Sequence, residues 1–266
     1  MKKNNSTLKN GLIIFLFLHI CWSQIEQAYP PLNLVSIPTA GTLPRGTYTF
    51  EALLSKNGGV LPKLSVGFTD NFSFGVSFGI QKLIGNDSLY YNKTTPEVHI
   101  KYRVYEESQS MPALVYGLDT QGRGTFRDTT NTGELIQRYE QKAWGMYLVL
   151  SKNWSFLGNL GLHGGLCKSI SENHDGDKDF NIFLGIDKEL NRSFSFLIEF
   201  DAALNDNNYK LDDINGFGKG KGYLNAGIRW AVSPNVMMEI NFNDINQNTD
   251  AEYTNREIKI MYSESF

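Results

Sequence analysis

Between Phe72 and Ile80 every even-numbered residue is large and apolar, and every odd-numbered one is Ser or Gly: Phe72-Ser-Phe-Gly-Val-Ser-Phe-Gly-Ile80. A side-chain period of two belongs to a strand, because successive Cβ atoms point to opposite faces of the sheet. The alternation returns in Phe180-Asn-Ile-Phe-Leu-Gly-Ile186, in Ser193 to Leu204 and in Tyr223 to Val232. Followed from Gly46 onward, it predicts twelve strands: 46–54, 60–69, 72–81, 96–105, 112–120, 138–151, 154–167, 179–189, 193–204, 222–232, 235–244 and 256–266. The connectors alternate as well. Asp70-Asn71, Glu106 to Met111, Lys152-Asn153, Leu190 to Arg192 and Ser233-Pro234 are short. Segments 82–95, 121–137, 168–178, 205–221 and 245–255 are long and rich in Gly, Asn and Asp; only 55–59, on the long side, is brief. Even strand number, strands of about ten residues and alternately short and long connections are the plan of a transmembrane β-barrel. The predicted fold is therefore all-β: a single antiparallel barrel of outer-membrane type, with both termini on the short-turn side.

The two faces differ in chemistry. One carries Tyr48, Phe50, Leu64, Val76, Leu148, Leu184, Ile186, Ile228, Ile240 and Ile258, which outer-membrane lipid would solvate. The other carries Glu51, Lys63, Glu97, His99, Lys101, Arg103, Asp119, Asp187, Glu199, Asp201, Arg229, Glu239, Glu257 and Lys259. A soluble sandwich would bury the first face and expose the second, and alternation alone leaves that rival open. Three features favour the membrane. The apolar face is nearly free of charge. Phe68, Phe72, Tyr102, Trp154, Phe194, Trp230 and Tyr262 gather where strands meet the short turns, as a periplasmic aromatic girdle does. The chain ends in Phe266 after Ile258, Ile260 and Tyr262 at alternate positions, the usual recognition tag of the outer-membrane assembly machinery, although Glu264 interrupts the pattern.

Ahead of the strands, residues 1–23 carry Lys2, Lys3 and Lys9, an apolar run from Leu12 to Ile20, and Cys21-Trp22-Ser23. This is the plan of a secretory signal peptide, and the run is too short for a membrane-spanning helix. Bulky Ile20 argues against acylation of Cys21. Residues 24–45 then form an N-terminal segment lying in the periplasm or in the lumen, and 46–266 form the barrel. Removing residues 1–23 leaves 22 basic against 28 acidic residues, a net charge of about −6, which argues against a nucleic-acid partner. Cys167 is then the only cysteine, which rules out an internal disulfide and a cysteine-based zinc site. Export with this strand pattern points to the outer membrane of a Gram-negative bacterium.

From Lys101 the chain reads KYRVYEESQSMPALVYGLDTQGRGTF, and later YEQKAWGMYLVLSK, NLGLHGG and FLGIDKELNRSFSFLIEFDAALND. These segments resemble the YjbH-type outer-membrane barrels linked to exopolysaccharide biosynthesis. The matching positions are Lys101, Arg103, Glu107, Pro112, Ala113, Gly117, Asp119, Gly122, Gly124, Ser151, Lys152, Gly185, Glu199 and Asp201, and Ile37 to Ala40 with Leu43 to Gly46 resembles the lead into that family's first strand. The resemblance spans about residues 35–205 and implies a non-enzymatic role in production or export of a surface polysaccharide, with export lipoproteins as partners. The alternatives are a porin-like channel for small solutes and an outer-membrane hydrolase of lipid or glycan.

Candidate lumen-lining charges are Glu97, Lys101, Arg103, Asp119, Asp187, Glu199, Asp201 and Arg229. Glu97, Lys101 and Arg103 are expected to face Asp119, lining a sugar or ion path or else closing the lumen with ion pairs. Glu199, Asp201 and Asp187 form a second acidic group, with Arg229 on the next strand. Paired carboxylates suit glycosidic cleavage, but Glu-x-Asp on one strand face is equally the content of a polar lumen, and no catalytic residue is assigned. His163 points inward with no serine motif around it, which suits a lumen histidine bonded to a neighbour. Carboxylates around Gly176 follow the spacing of a calcium loop, but the bidentate Glu is missing; that segment and Asn205 to Asp213 are expected to be solvated surface loops. Gly216 to Gly222 has no helix behind it to take a phosphate. No cofactor and no metal are expected.

Overall fold

The computed structural model describes residues 31–266 apart from 87, 208–215, 250 and 252; the signal-peptide assignment, and part of the acidic 205–213 loop, lie outside the described residues. The strands are β1 (Thr47–Ser55), β2 (Gly59–Thr69), β3 (Phe72–Ser77), β4 (Ile80–Gln81), β5 (Tyr90–Tyr91), β6 (Glu97–Tyr105), β7 (Ala113–Asp119), β8 (Arg123–Thr129), β9 (Leu135–Gln141), β10 (Gly145–Ser155), β11 (Asn159–Lys168), β12 (Asn181–Glu189), β13 (Phe194–Asp201), β14 (Tyr223–Ser233), β15 (Val236–Asn243) and β16 (Asn255–Ser265). Twelve of them, β1, β2, β3, β6, β7 and β10 to β16, each pair antiparallel with the next of the twelve along the chain, and β1 pairs with both β2 and β16. That double pairing closes the ring. Closure matters because an open sheet edge in hydrocarbon would leave a row of unpaired N–H and C=O groups.

The apolar face is outside. Leu184 is 64% exposed and Ile240 52%, whereas Glu199 is 1% exposed and Glu239 fully buried, so a soluble sandwich with these faces reversed is excluded. At the short-turn rim Phe68 packs on Phe72 at 6.1 Å between ring centroids, Phe194 stacks on Trp230 at 5.8 Å, and Tyr48 meets Tyr262 and Phe266 at 6.3 and 6.4 Å.

The strand expected at 72–81 is broken into β3 and β4, and two further differences from the sequence reading bear on the lumen. The strand expected at 138–151 is two elements: β9 belongs to a separate hairpin with β8, formed inside the long connection between β7 and β10. The turn expected at Lys152-Asn153 lies instead at 156–158. Lys152 and Asn153 stay in the ladder opposite Leu162 and Gly161, and Leu157 and Gly158 take the positive φ of the turn. Polar residues at a rim read as a turn whenever they end a lipid-facing stretch, and here they do so one turn early.

Because the outer face is solvated by acyl chains, a charge placed on it is costly. Leu184→Arg is expected to lower the unfolding free energy in lipid vesicles by about 2–4 kcal/mol. The wild-type chain is expected to stay folded in cold SDS and to change mobility on boiling.

Candidate functional site

The lumen is occupied by the chain itself. Residues 31–45 run through it, making only a small turn of their own: Leu34 N donates to Ile37 O at 3.0 Å and Thr39 N to Leu32 O at 3.1 Å. Leu34, Val35, Ile37 and Ala40 pack against inward-facing Ala113, Val115, Tyr147, Val149, Cys167, Phe183 and Leu197. Full burial of each Leu, Val or Ile contributes roughly 1.5–3 kcal/mol. The main apolar part of the wall lies on β7 and β10 to β13, interrupted by Asp187 and Glu199, and a smaller one forms where Leu32 and Leu43 meet Met237 and Met261. This was legible in part: Met146-Tyr-Leu-Val-Leu150 is apolar at every position, the mark of a strand covered on both faces.

Three of the eight charged candidates, Lys101, Glu199 and Arg229, grip the backbone of this segment, joined by Lys259 and Arg123. Glu199 on β13 accepts three consecutive peptide N–H groups, from Val35 at 3.0 Å, Ser36 at 2.9 Å and Ile37 at 3.1 Å, and also the Ser36 hydroxyl and Asn225 Nδ2 at 2.8 Å. Lys101 on β6 donates to the carbonyls of Leu32, Thr39 and Gly41, the last two at 3.0 and 3.3 Å. Arg229 on β14 reaches Asn33 O at 2.8 Å while paired with Glu239 at 2.6 Å. Lys259 reaches Leu34 O at 3.1 Å and Glu239 at 2.5 Å. From the β8 hairpin, Arg123 donates to Val35 O at 3.0 Å.

The remaining candidates do not form the groups expected of them. Asp119 faces His99 at 3.5 Å and Lys63 at 3.8 Å rather than Lys101 or Arg103. Glu97 takes Lys93 and Thr120, and Tyr139 OH at 3.2 Å. Arg103 sits at the short-turn rim on Glu106 at 2.8 Å and Asp70 O at 2.9 Å. Asp201 accepts from Asn181 at 2.6 Å, and Asp187 from His163 at 2.7 Å. Glu199, Asp201 and Asp187 therefore each have a different partner and do not act as paired carboxylates. His163 is bonded to neighbours on both sides, as a lumen histidine is; one of those neighbours is Ser151, which sequence reasoning had not connected to it.

Two cavities flank the segment. One of about 650 Å³ opens at the short-turn rim, lined by Thr39 to Gly41, Arg103, Ser151, His163 and Arg229. The other, about 540 Å³, opens on the long-loop side between Lys56, Arg123, Glu140 and Glu257. A smaller space of about 70 Å³ lies between them, against Val35, Ser36 and Arg123.

The acidic loop around Gly176 is not a solvated surface loop. Asp175 and Asp177 are buried. Arg138, on β9, holds Asp175 at 2.7 Å and Asp206 at 2.6 Å, and Lys142 holds Asp175 at 2.7 Å. Burial acts to lower the Arg138 pKa, but Asp206 and Asp175 carry it above its ordinary value. Among the described residues no cluster of three or more His, Cys, Asp or Glu is placed to hold a metal ion.

No protein-family model matches the chain, and no curated protein matches it in sequence. Among solved structures it is similar to the KdgM porin, at 9% identity and a TM-score of 0.47 over 83% of this chain and 99% of that one. It is similar also to the NanC porin, at 9% identity and 0.43 over 82% and 99%. A third is the outer-membrane channel DcaP of Acinetobacter baumannii, at 11% identity and 0.33 over 83% and 95%.

In the external loops, Glu172 accepts Ala143 N–H at 3.2 Å. Burial raises its pKa to about 7, with Arg138, the Ala143 amide, Lys93 and Lys142 only partly opposing. A carboxyl raised in the folded state stabilises it below the unfolded value of about 4.3 and loses that contribution as pH rises through about 7. The thermal unfolding midpoint is expected to fall between pH 5 and 8, and Glu172→Gln to flatten that dependence.

Proposed function

We propose that the chain is an outer-membrane channel for small polar solutes, closed by its own residues 31–45. The observation that carries this reading is the pair of cavities of about 650 and 540 Å³, one at each rim of a single lumen, with that segment and Arg123 between them. Both cavities are lined by mixed charges and amides, which suits hydrated polar solutes more than apolar ones. The segment carries few backbone bonds of its own, so it can leave as a unit when its side-chain anchors are released. Export by residues 1–23 and residence in the outer membrane of a Gram-negative bacterium belong to the same proposal. A polysaccharide role with export lipoproteins rests on the YjbH resemblance alone, and no feature of the described lumen favours it over a general channel.

Planar-bilayer recording tests the reading. The full chain is expected to be silent or nearly so. Deleting residues 31–45, or combining Glu199→Ala with Lys101→Ala, is expected to produce a steady open level. A deletion variant that still shows heat-modifiable mobility yet never conducts would remove the channel.

A further inference from the structure

On three neighbouring strands the register sets a serine, a histidine and an aspartate side by side. Ser151 on β10 lies directly opposite His163 on β11. Gly161, two residues before His163 and so on the same face, lies directly opposite Asp187 on β12. Ser151 Oγ is 2.7 Å from His163 Nδ1, and His163 Nε2 is 2.7 Å from Asp187 Oδ1. The missing side chain at Gly161 makes the diagonal contact possible: a Cβ there would stand 2.1 Å from Asp187 Oδ1 and 2.9 Å from His163 Nε2. All three side chains line the 650 Å³ cavity at the short-turn rim.

A nucleophilic serine needs Asp187 ionised and His163 neutral; Asp187 then only accepts, the imidazole proton sits on Nε2 and Nδ1 is a bare acceptor. Ala40 N–H donates to Ser151 Oγ at 2.8 Å. The hydroxyl proton is then directed at Nδ1. A hydroxyl whose proton points at a base, with the base oriented by a carboxylate and open space in front, is the arrangement of an activated nucleophile. The ring nitrogens are used in the opposite sense to the serine-protease triad, Nδ1 toward the serine and Nε2 toward the carboxylate, but the chain of proton acceptors is the same.

We propose that Ser151, His163 and Asp187 form a nucleophilic site that hydrolyses small esters entering from the short-turn rim. Ser151 Oγ attacks the ester carbonyl carbon as its proton passes to His163 Nδ1, and Asp187 stabilises the imidazolium through Nε2–H. The tetrahedral adduct collapses, the C–O bond to the alcohol breaks, and the alkoxide takes the proton from Nδ1. Water, giving a proton to Nδ1, then attacks the acyl-serine, releases the carboxylic acid and restores the hydroxyl. Ala40 N–H, already at the serine, supplies a donor to the carbonyl oxygen as negative charge builds there. Ala40 and Ala113 wall the space by the serine, which suits a short acyl group, while Arg103, Asn191 and Arg192 toward the rim suit a polar carrier.

The test uses the refolded full chain in detergent, with diisopropyl fluorophosphate as covalent probe and p-nitrophenyl acetate as substrate. A single phosphoryl adduct is expected on Ser151, and ester hydrolysis should fall at least about 100-fold in Ser151→Ala and His163→Gln. Asp187 acts through His163, so Asp187→Asn is expected to move the pH–rate midpoint as well as lower the rate. Heat-modifiable mobility reports that each variant is folded. Because Ala40 lies against the serine, Glu199→Gln is tested beside the wild type. An adduct in either one supports the site, and in the variant alone it means that residues 31–45 cover the serine at rest. No adduct on Ser151 in either folded protein, or hydrolysis unchanged in Ser151→Ala, overturns the proposal.

Discussion

A buried peptide group needs a hydrogen-bond partner whether it faces lipid or the inside of a barrel, and this requirement organises the whole molecule. Toward the lipid it is met by closing the ladder, β1 pairing with both β2 and β16. Inside, residues 31–45 have almost no ladder to join. Their carbonyls are met by Lys101, Arg123, Arg229 and Lys259, and their N–H groups by Glu199 and Ser151. The dependence runs both ways. A Glu199 or Lys101 buried without partners would cost several kcal/mol, and the peptide groups of the segment are what satisfy them. Interior charge and interior chain are each tolerable because the other is present.

The architecture was legible because a period of two is local: Phe72 to Ile80 needs no distant residue to declare two faces. The roles of the charges were not legible. Lys101 and Asp119 sit on adjacent strands and read as a pair, yet Lys101 turns to carbonyls at Leu32, Thr39 and Gly41, residues that alternation says nothing about. The Ser–His–Asp array was hidden for a sharper reason. With the turn at Lys152-Asn153, Ser151 falls opposite Trp154 and His163 opposite Lys142; with the turn at 156–158, Ser151 meets His163. Moving one turn changes every cross-strand neighbour, so a site made of cross-strand neighbours cannot be read before register is known. The buried cluster of Arg138, Asp175 and Asp206 escaped similarly, since it joins three long connections that share no strand pairing.

The contact between Ala40 and Ser151 connects the two properties argued for the lumen. Ala40 belongs to the segment that separates the cavities, and its N–H is also the group that directs the Ser151 hydroxyl toward His163. Neutral hydrogen bonds are about half as strong as those made by charged groups, and the segment's other anchors include Glu199, Lys101, Arg229 and Lys259. The charged anchors therefore decide where the segment lies, and the Ala40 bond follows them. Any shift of residues 31–45 that joins the two cavities must break or redirect that bond. In the channel and the esterase proposed above, passage through the lumen and the state of the serine are both set by the position of one short stretch of chain, because both depend on the same backbone.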